Sequence, residues 1–222
     1  LWPTSYYGDT SGVGLALHYL EQNGRTRFGL VGPGAGTLAA QVHRGDSLRI
    51  YEINPAVKRL ALGTFTYVPF SSAKVDLVMG DARLSMEREL AEGRPQQLDL
   101  LALDAFTSDA IPVHLLTKEA FAIYLQELKP DGVIAVHTSN RYLNLRPVVE
   151  NLARHFGLAT ATISDDSDAD WWIYRTTWIL VTRNLTLLDD DTIRHATDRT
   201  KEAAGNVGLW TDDHASLYEI LK

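Results

Sequence analysis

The sequence predicts an α/β fold in which a doubly wound, mostly parallel sheet is covered by helices. Two observations carry this. Short apolar runs alternate with amphipathic stretches along the 222-residue chain, the pattern that parallel strands and their crossover helices produce. The first apolar run also empties into a glycine-rich strand-to-helix turn, GPGAG. Strands are expected near 26–31, 47–53, 75–79, 98–104, 132–137, 157–163 and 172–182. Helices should occupy 11–22, 35–43, 55–62, 82–92, 117–128 and 145–155, with Pro55 at a helix start and Gly132 just past a helix end. The acidic run 165–170 and the triplet 189–191 read as solvated loops or helix N-termini, where negative charge is favoured. One domain over 1–222 is expected, with 1–12 as an N-terminal lid or linker.

Composition narrows the function. The chain is 45% hydrophobic and 22% charged, which suits a compact domain with a sizeable core. Lys and Arg number 21 against 28 Asp and Glu, and a net charge of −7 argues against a nucleic-acid partner while suiting a cationic one. Without Cys there is no disulfide framework, thiol nucleophile or thiolate metal site, and a cytoplasmic location is expected. The sequence has no apolar run of membrane-spanning length and no signal peptide, yet it opens at Leu1-Trp2-Pro3, as a piece of a longer protein would. The His residues lack metal-ligand spacing such as H-E-x-x-H, so no metal is expected.

Three signals lie at successive strand ends. Gly32, Gly34 and Gly36 form a G-x-G-x-G turn that either lets a ligand approach the backbone or packs tightly. Glu52 follows Gly32 by twenty positions and ends the next strand, where an acid accepts hydrogen bonds from a ribose diol. Asp81 in GDAR, beside Ala82, ends the third strand; it suits an adenine amino group, a helix N-cap, or both. Carboxyl ends of adjacent strands form the expected ligand crevice of such a sheet.

The ordered set GLVGPGAGTLAA, YEINPAV, GDAR, LDAFTSDAIPVHLLTKEAF, LKPDGVIAVHTSN and WTDDHASL resembles the spermidine synthase (polyamine aminopropyltransferase) family, over nearly the whole chain from Tyr6. It is most similar to the spermidine synthase-like branch often fused to transporter-like membrane segments. The resemblance implies a Rossmann-like, class I methyltransferase-type fold and a donor co-substrate, decarboxylated S-adenosylmethionine or S-adenosylmethionine. It implies a putrescine-like amine acceptor, a possible homodimer and a membrane domain in the full-length protein. The small N-terminal β-domain of spermidine synthases has no counterpart here.

By the same resemblance, Glu52 holds the ribose, Asp81 with Ala82 the adenine, and Asp104 the attacking amine. The family's D-S-T-D-P-like segment corresponds to DAFTSDAIP, with two extra residues between the acids, so Asp104 matches the first acid well and Asp109 the polyamine-binding second less closely. A carboxylate of ordinary pKa near ~4 is a poor sink for an ammonium proton of pKa about 10. Asp104 should therefore orient and desolvate the ammonium and take its proton as the C–N bond forms; a structural cap or loop acceptor is the alternative.

Tyr6 and Tyr7 match a loop over the family's site or simply cover the core, and Tyr7 is the candidate hydrogen-bond partner of the acceptor. Trp210, Asp212 and Asp213 resemble a C-terminal element near the acceptor, with Trp210 and Asp212 as candidate substrate contacts and an exposed capping segment as the alternative. His137, Asn140 and Arg141 follow the fifth strand and should face the crevice. One departure stands out. Where the family carries an acid in the glycine-rich turn for the donor's ammonium, this chain has Ala35. Its loss removes a contact with a decarboxylated donor and relieves repulsion of an intact one, whose carboxylate Arg141 is able to meet. Aminopropyl transfer, methyl or other alkyl transfer, and noncatalytic nucleoside binding within a membrane protein all remain open.

Overall fold

A computed structural model describes residues 1–24, 26–105, 112–166, 172–199 and 207–222. Its strands are β1 (Arg27–Val31), β2 (Ser47–Glu52), β3 (Lys74–Met79), β4 (Leu98–Leu103), β5 (Leu128–His137), β6 (Ala159–Asp165) and β7 (Thr176–Thr182). They form one seven-stranded sheet in the order β3-β2-β1-β4-β5-β7-β6. The first five run parallel, and β7 lies antiparallel between β5 and β6. The helices are α1 (Gly12–Gln22), α2 (Pro55–Gly63), α3 (Ala82–Ala91), α4 (Lys118–Glu127), α5 (Arg146–His155), α6 (Leu185–Leu188) and α7 (Asp191–Ala196). No helix among the described residues is long and apolar enough to cross a membrane.

The central strands read as unbroken apolar runs because both faces are covered. Successive residues of β4 show it: Leu101 and Leu103 pack with Met86 of α3 and Phe121 of α4, whereas Leu100 and Ala102 pack with Val13 and Leu17 of α1. Each large buried side chain contributes about 1.5–3 kcal/mol. Polar side chains start the helices: Ser11 Oγ accepts from the Gly14 N–H, Asn54 from Ala56 ahead of Pro55, Thr117 from Ala120, and Asp190 from Thr192. Asp190 thereby makes the 189–191 triplet a helix N-terminus.

Several expectations need correction. The helix at 35–43 is reduced to a 3₁₀ turn, Thr37–Ala40. Gly34 and Gly36 have φ of 52° and 86°, so the chain leaves the turn outside the right-handed region. It is then drawn toward β2 as Asp46 accepts the N–H groups of Thr26 and His43, each at 2.8 Å. Gly132 lies inside β5, which begins directly after α4; a Cβ there would sit 2.9 Å from the Leu98 carbonyl oxygen, beside a register shift between Leu98 and Leu100. The last strand begins at Thr176, not 172. Asp165, read as solvated, is buried at the end of β6 and accepts a 2.6 Å hydrogen bond from Thr10 Oγ1; positions 167–170 of that run lie outside the described residues.

A polar cluster ties the outer layer to the sheet. Arg49 of β2 pairs with Asp76 and Glu89, and Tyr51 donates to Glu89 Oε2 at 2.9 Å. Nearby Glu127 is fully buried; Oε2 accepts the Gln96 N–H at 2.6 Å, while Oε1 has no partner among the described residues. Burial, reinforced by the charge of Glu89, pushes its carboxyl up to about 7. A folded pKa above the unfolded value of about 4.3 means that the folded state binds the extra proton, so this group's stabilisation is present at low pH and lost as pH rises toward 7. We expect Glu127→Gln to reduce the fall in unfolding free energy between pH 5 and pH 8 by about 2–3 kcal/mol, read by urea denaturation at both values. An unchanged difference would show that Glu127 is ionised throughout.

Candidate functional site

Parallel strands place their carboxyl ends together, and here the ends of β1 to β5 open into a cleft of about 910 Å³. Gly32 and Gly34 form part of its floor, but Gly36 is outside it: a Cβ on Gly36 would meet Val68 Cγ2 at 2.5 Å, so tight packing explains that glycine. Gly32, at φ 80°, serves close approach of a different kind. Its Cβ would lie 2.5 Å from the Asp104 carbonyl oxygen, so its absence lets the ends of β1 and β4 come together.

Glu52 at the end of β2 is 7% exposed, and its Oε1 accepts the Asn54 N–H at 2.6 Å. Burial raises its pKa, against the opposing pull of the Asn54 and Ile53 N–H groups. Asp81 behaves in the opposite way. Burial again disfavours its charge, but the Leu84 N–H at Oδ1 and His114 Nε2 at Oδ2, 3.0 and 2.9 Å away, outweigh it and lower the pKa. Asp81 therefore caps α3 and lines the cleft at once, with Ala82 beside it. Each carboxylate oxygen accepts more than one hydrogen bond, so capping leaves room for a ligand donor.

Asp104 follows β4 directly, with its side chain 7% exposed. Tyr7 donates its hydroxyl proton to Oδ2, and His137 Nδ1 lies 2.7 Å from Oδ1. Burial, then the adjacent Asp104 charge, drives the Tyr7 phenol well above its ordinary pKa, so it acts as a neutral donor. Tyr6 packs edge-on to Tyr7 and tilted against His137, with centroids 6.2 and 5.5 Å apart. Within the segment 1–12, expected as a lid or linker, Ser5 pairs with Ile173, and its N–H and carbonyl bond Trp172 and Tyr174 at 2.7 Å each.

His137 lines the cleft, whereas Asn140 and Arg141 line an adjoining hollow of about 1080 Å³ that shares Tyr6 and Ser139 with it. Asp109 lies outside the described residues. Trp210 and Asp212 are not in the cleft wall. Trp210 is 1% exposed in the core, and Asp212 takes a bidentate contact from Arg83 at 2.7 and 2.6 Å and a bond from Thr117 Oγ1 at 2.8 Å. Arg83, with Thr117, holds the Asp212 carboxyl at about 2, and a further Arg83 contact, to the His114 carbonyl at 3.2 Å, supports the residue paired with Asp81. The segment thus braces the wall from outside; Asp213 is exposed. His114 and Asn54 were not singled out in the sequence, although His114 lies in the same unpatterned loop as the two acids. Among the described residues, Glu21, His43 and Asp46 bring one potential ligand atom each within 4.8 Å of one another, away from the cleft lining.

Gly32→Ala should cost about 2 kcal/mol or more, since left-handed strain and a backbone clash coincide. Gly34→Ala, left-handed but with nothing within 4 Å, should cost only about 1–2 kcal/mol. Chemical denaturation compares them; equal losses would mean that the β1–β4 approach is not limiting.

No family model matches the chain. Half of it, 115 residues, is 32% identical to a polyamine aminopropyltransferase from Vibrio vulnificus, covering 37% of that protein. A 109-residue stretch, 49% of the chain, is 35% identical to an N-terminal histidine N-methyltransferase from Emericella nidulans, covering 19% of it. The matched stretches are thus well under half of these relatives' lengths. Among solved structures, a probable spermidine synthase from Corynebacterium glutamicum superposes with a TM-score of 0.55 at 19% identity, over 77% of this chain and 61% of that one. Spermidine synthase from Thermotoga maritima gives 0.52 at 14%, over 91% and 66%. An O-methyltransferase from Bacillus cereus in complex with SAH gives 0.52 at 15%, over 78% and 82%. With its seven-stranded order and single antiparallel strand, the chain has a Rossmann-like, class I methyltransferase-type fold.

Proposed function

We propose that this chain transfers an aminopropyl group from decarboxylated S-adenosylmethionine to an amine, with the nucleoside in the β1–β4 cleft. The carrying observation is Asp104, a buried carboxylate held by Tyr7 and His137 at the same cleft that Glu52 and Asp81 line. The half-chain similarity to a polyamine aminopropyltransferase supports the reading. Glu52, a pure acceptor while ionised, suits a ribose diol, and Asp81 suits an adenine amino group. Apolar Val31, Ile53 and Leu115 would flank the base.

In the reaction, Asp104 orients the acceptor's ammonium and takes one proton as the nitrogen lone pair attacks the aminopropyl carbon beside sulfur. The C–N bond forms, the C–S pair returns to sulfur, and methylthioadenosine leaves as a neutral thioether without acid assistance. Tyr7, protonated, keeps the carboxylate aligned rather than competing for the proton. Asp109 is assigned to the acceptor's second cation. Trp210 and Asp212 support the wall rather than the substrate.

Methyl transfer from S-adenosylmethionine is a second reading, favoured by Ala35 in the glycine-rich turn and by the similarity to a histidine N-methyltransferase. By-products decide between them: aminopropyl transfer releases methylthioadenosine, and methyl transfer releases S-adenosylhomocysteine. Chromatography of reactions with each donor and a panel of amines should show methylthioadenosine; S-adenosylhomocysteine alone would promote the second reading. Ala35→Asp should increase use of the decarboxylated donor relative to the intact one, because a charge-assisted contact to its ammonium is restored.

Glu52→Ala should weaken methylthioadenosine binding by about 1.5–3 kcal/mol, the range for hydrogen bonds to charged groups, as measured by calorimetry. Folded Glu52→Ala and Asp81→Ala variants that both bind like the parent would remove the cleft assignment. Asp104→Asn should abolish turnover while sparing nucleoside affinity, a pattern that separates transition-state from ground-state roles.

A further inference from the structure

We propose that His137 is a positioning residue for Asp104, fixing its carboxylate toward the attacking amine through an Nδ1–H···Oδ1 hydrogen bond. This rests on the role proposed above for Asp104. The pair is 2.7 Å apart and both side chains are nearly inaccessible, 6% and 7% exposed. An ionised carboxylate only accepts, so Nδ1 carries the hydrogen, and Nε2, 3.1 Å from Thr176 Oγ1, is left to accept from that hydroxyl.

The ring itself is clamped. It stacks on Trp178 at 4.7 Å with planes 15° apart, while Trp178 is fully buried and spans from the sheet to the Tyr6 carbonyl through Nε1, at 3.3 Å. Register places His137 directly opposite Trp178 on β5 and β7. The antiparallel strand therefore delivers both the stacking surface and, two residues earlier, the Thr176 hydroxyl. Tyr7 holds the second carboxylate oxygen from the N-terminal segment. Two donors, one on each carboxylate oxygen, leave Asp104 one orientation, and the lone pairs that neither donor uses are those available to the ammonium. Such preorganisation matters because a displacement of about 1 Å can cost 10²-fold in rate.

Asparagine and leucine separate hydrogen bonding from bulk. In His137→Asn the amide nitrogen stands near the place of Nδ1 and still donates to Asp104; in His137→Leu nothing does. We expect His137→Leu to lower kcat for methylthioadenosine release about 30–100-fold with nucleoside affinity within about twofold of the parent, and His137→Asn to recover at least about tenfold of that loss. Thr176→Val, which removes that hydroxyl's hydrogen bond to Nε2 without opening a cavity, should lower kcat about threefold to tenfold. Equal losses in the Asn and Leu variants would mean that the ring's own proton chemistry is needed, overturning positioning; no loss in either would do the same. If His137→Leu does not fold, the Thr176→Val and Asn variants decide, and parent-like kcat in Thr176→Val beside a leucine-like loss in Asn rejects the proposal. A readout independent of turnover is NMR of protein labelled with ¹⁵N-histidine. A protected Nδ1–H of His137 should appear near neutral pH and move in Asp104→Asn; protonation at Nε2 alone overturns the bond. A parent that shows this N–H but releases no methylthioadenosine with any amine would remove the transfer reading and reduce the pair to a structural contact.

Discussion

The cleft depends on how closely β1 and β4 approach at their carboxyl ends. Gly32 makes that possible: its N–H reaches the Tyr51 carbonyl at 3.1 Å on one side, and its missing Cβ leaves space for the Asp104 backbone on the other. Because Asp104 lies one residue beyond β4, this approach sets where its carboxylate enters the cleft. Glu52, on the neighbouring strand, is fixed by the same register, in which Val31 pairs with Tyr51 and with Leu103. A bulkier residue at position 32 would therefore disturb three strand ends together.

Around that floor, three carboxylates meet three different environments. Glu52 is buried with only backbone N–H groups opposing its desolvation, and its pKa rises. Asp81 gains a helix-capping N–H and His114, and its pKa falls. Asp104 is gripped on both oxygens by side chains from distant parts of the chain. A charge that must meet a cation is best held by neutral donors, which orient it without neutralising it; Tyr7, kept protonated by burial and by Asp104 itself, is such a donor.

The C-terminal segment shows how a residue can matter to a cleft without lining it. Asp212 closes a chain of contacts through Arg83 to the His114 carbonyl, and His114 in turn meets Asp81. The Arg83–Asp212 pair is bidentate but partly exposed, so its contribution lies in geometry more than in stability. Trp210, buried beside it, anchors the segment through packing and through its carbonyl, which accepts the Lys118 N–H at 2.9 Å.

Local chemistry was enough to identify the layered α/β class, the seven strands, most helix starts, and Glu52, Asp81 and Asp104 as acids at strand ends. Buried parallel strands leave apolar runs, and caps and glycine turns act within a few residues of themselves, so these features are written in contiguous sequence. The same locality misled at 35–43, where apolar residues suited a helix but the left-handed Gly36 and the pull of Asp46 on the following turn left only Thr37–Ala40. The burial of Trp210 and the pairing of Asp212 with Arg83 were not legible, because an aromatic and an acid look alike in sequence whether they face a ligand or a neighbouring helix. Only the tertiary structure decided that Tyr7 and His137 converge on Asp104, with Trp178 stacked on His137. They come from the N-terminal segment, β5 and the antiparallel β7, and no spacing within one element encodes a contact made by strand order.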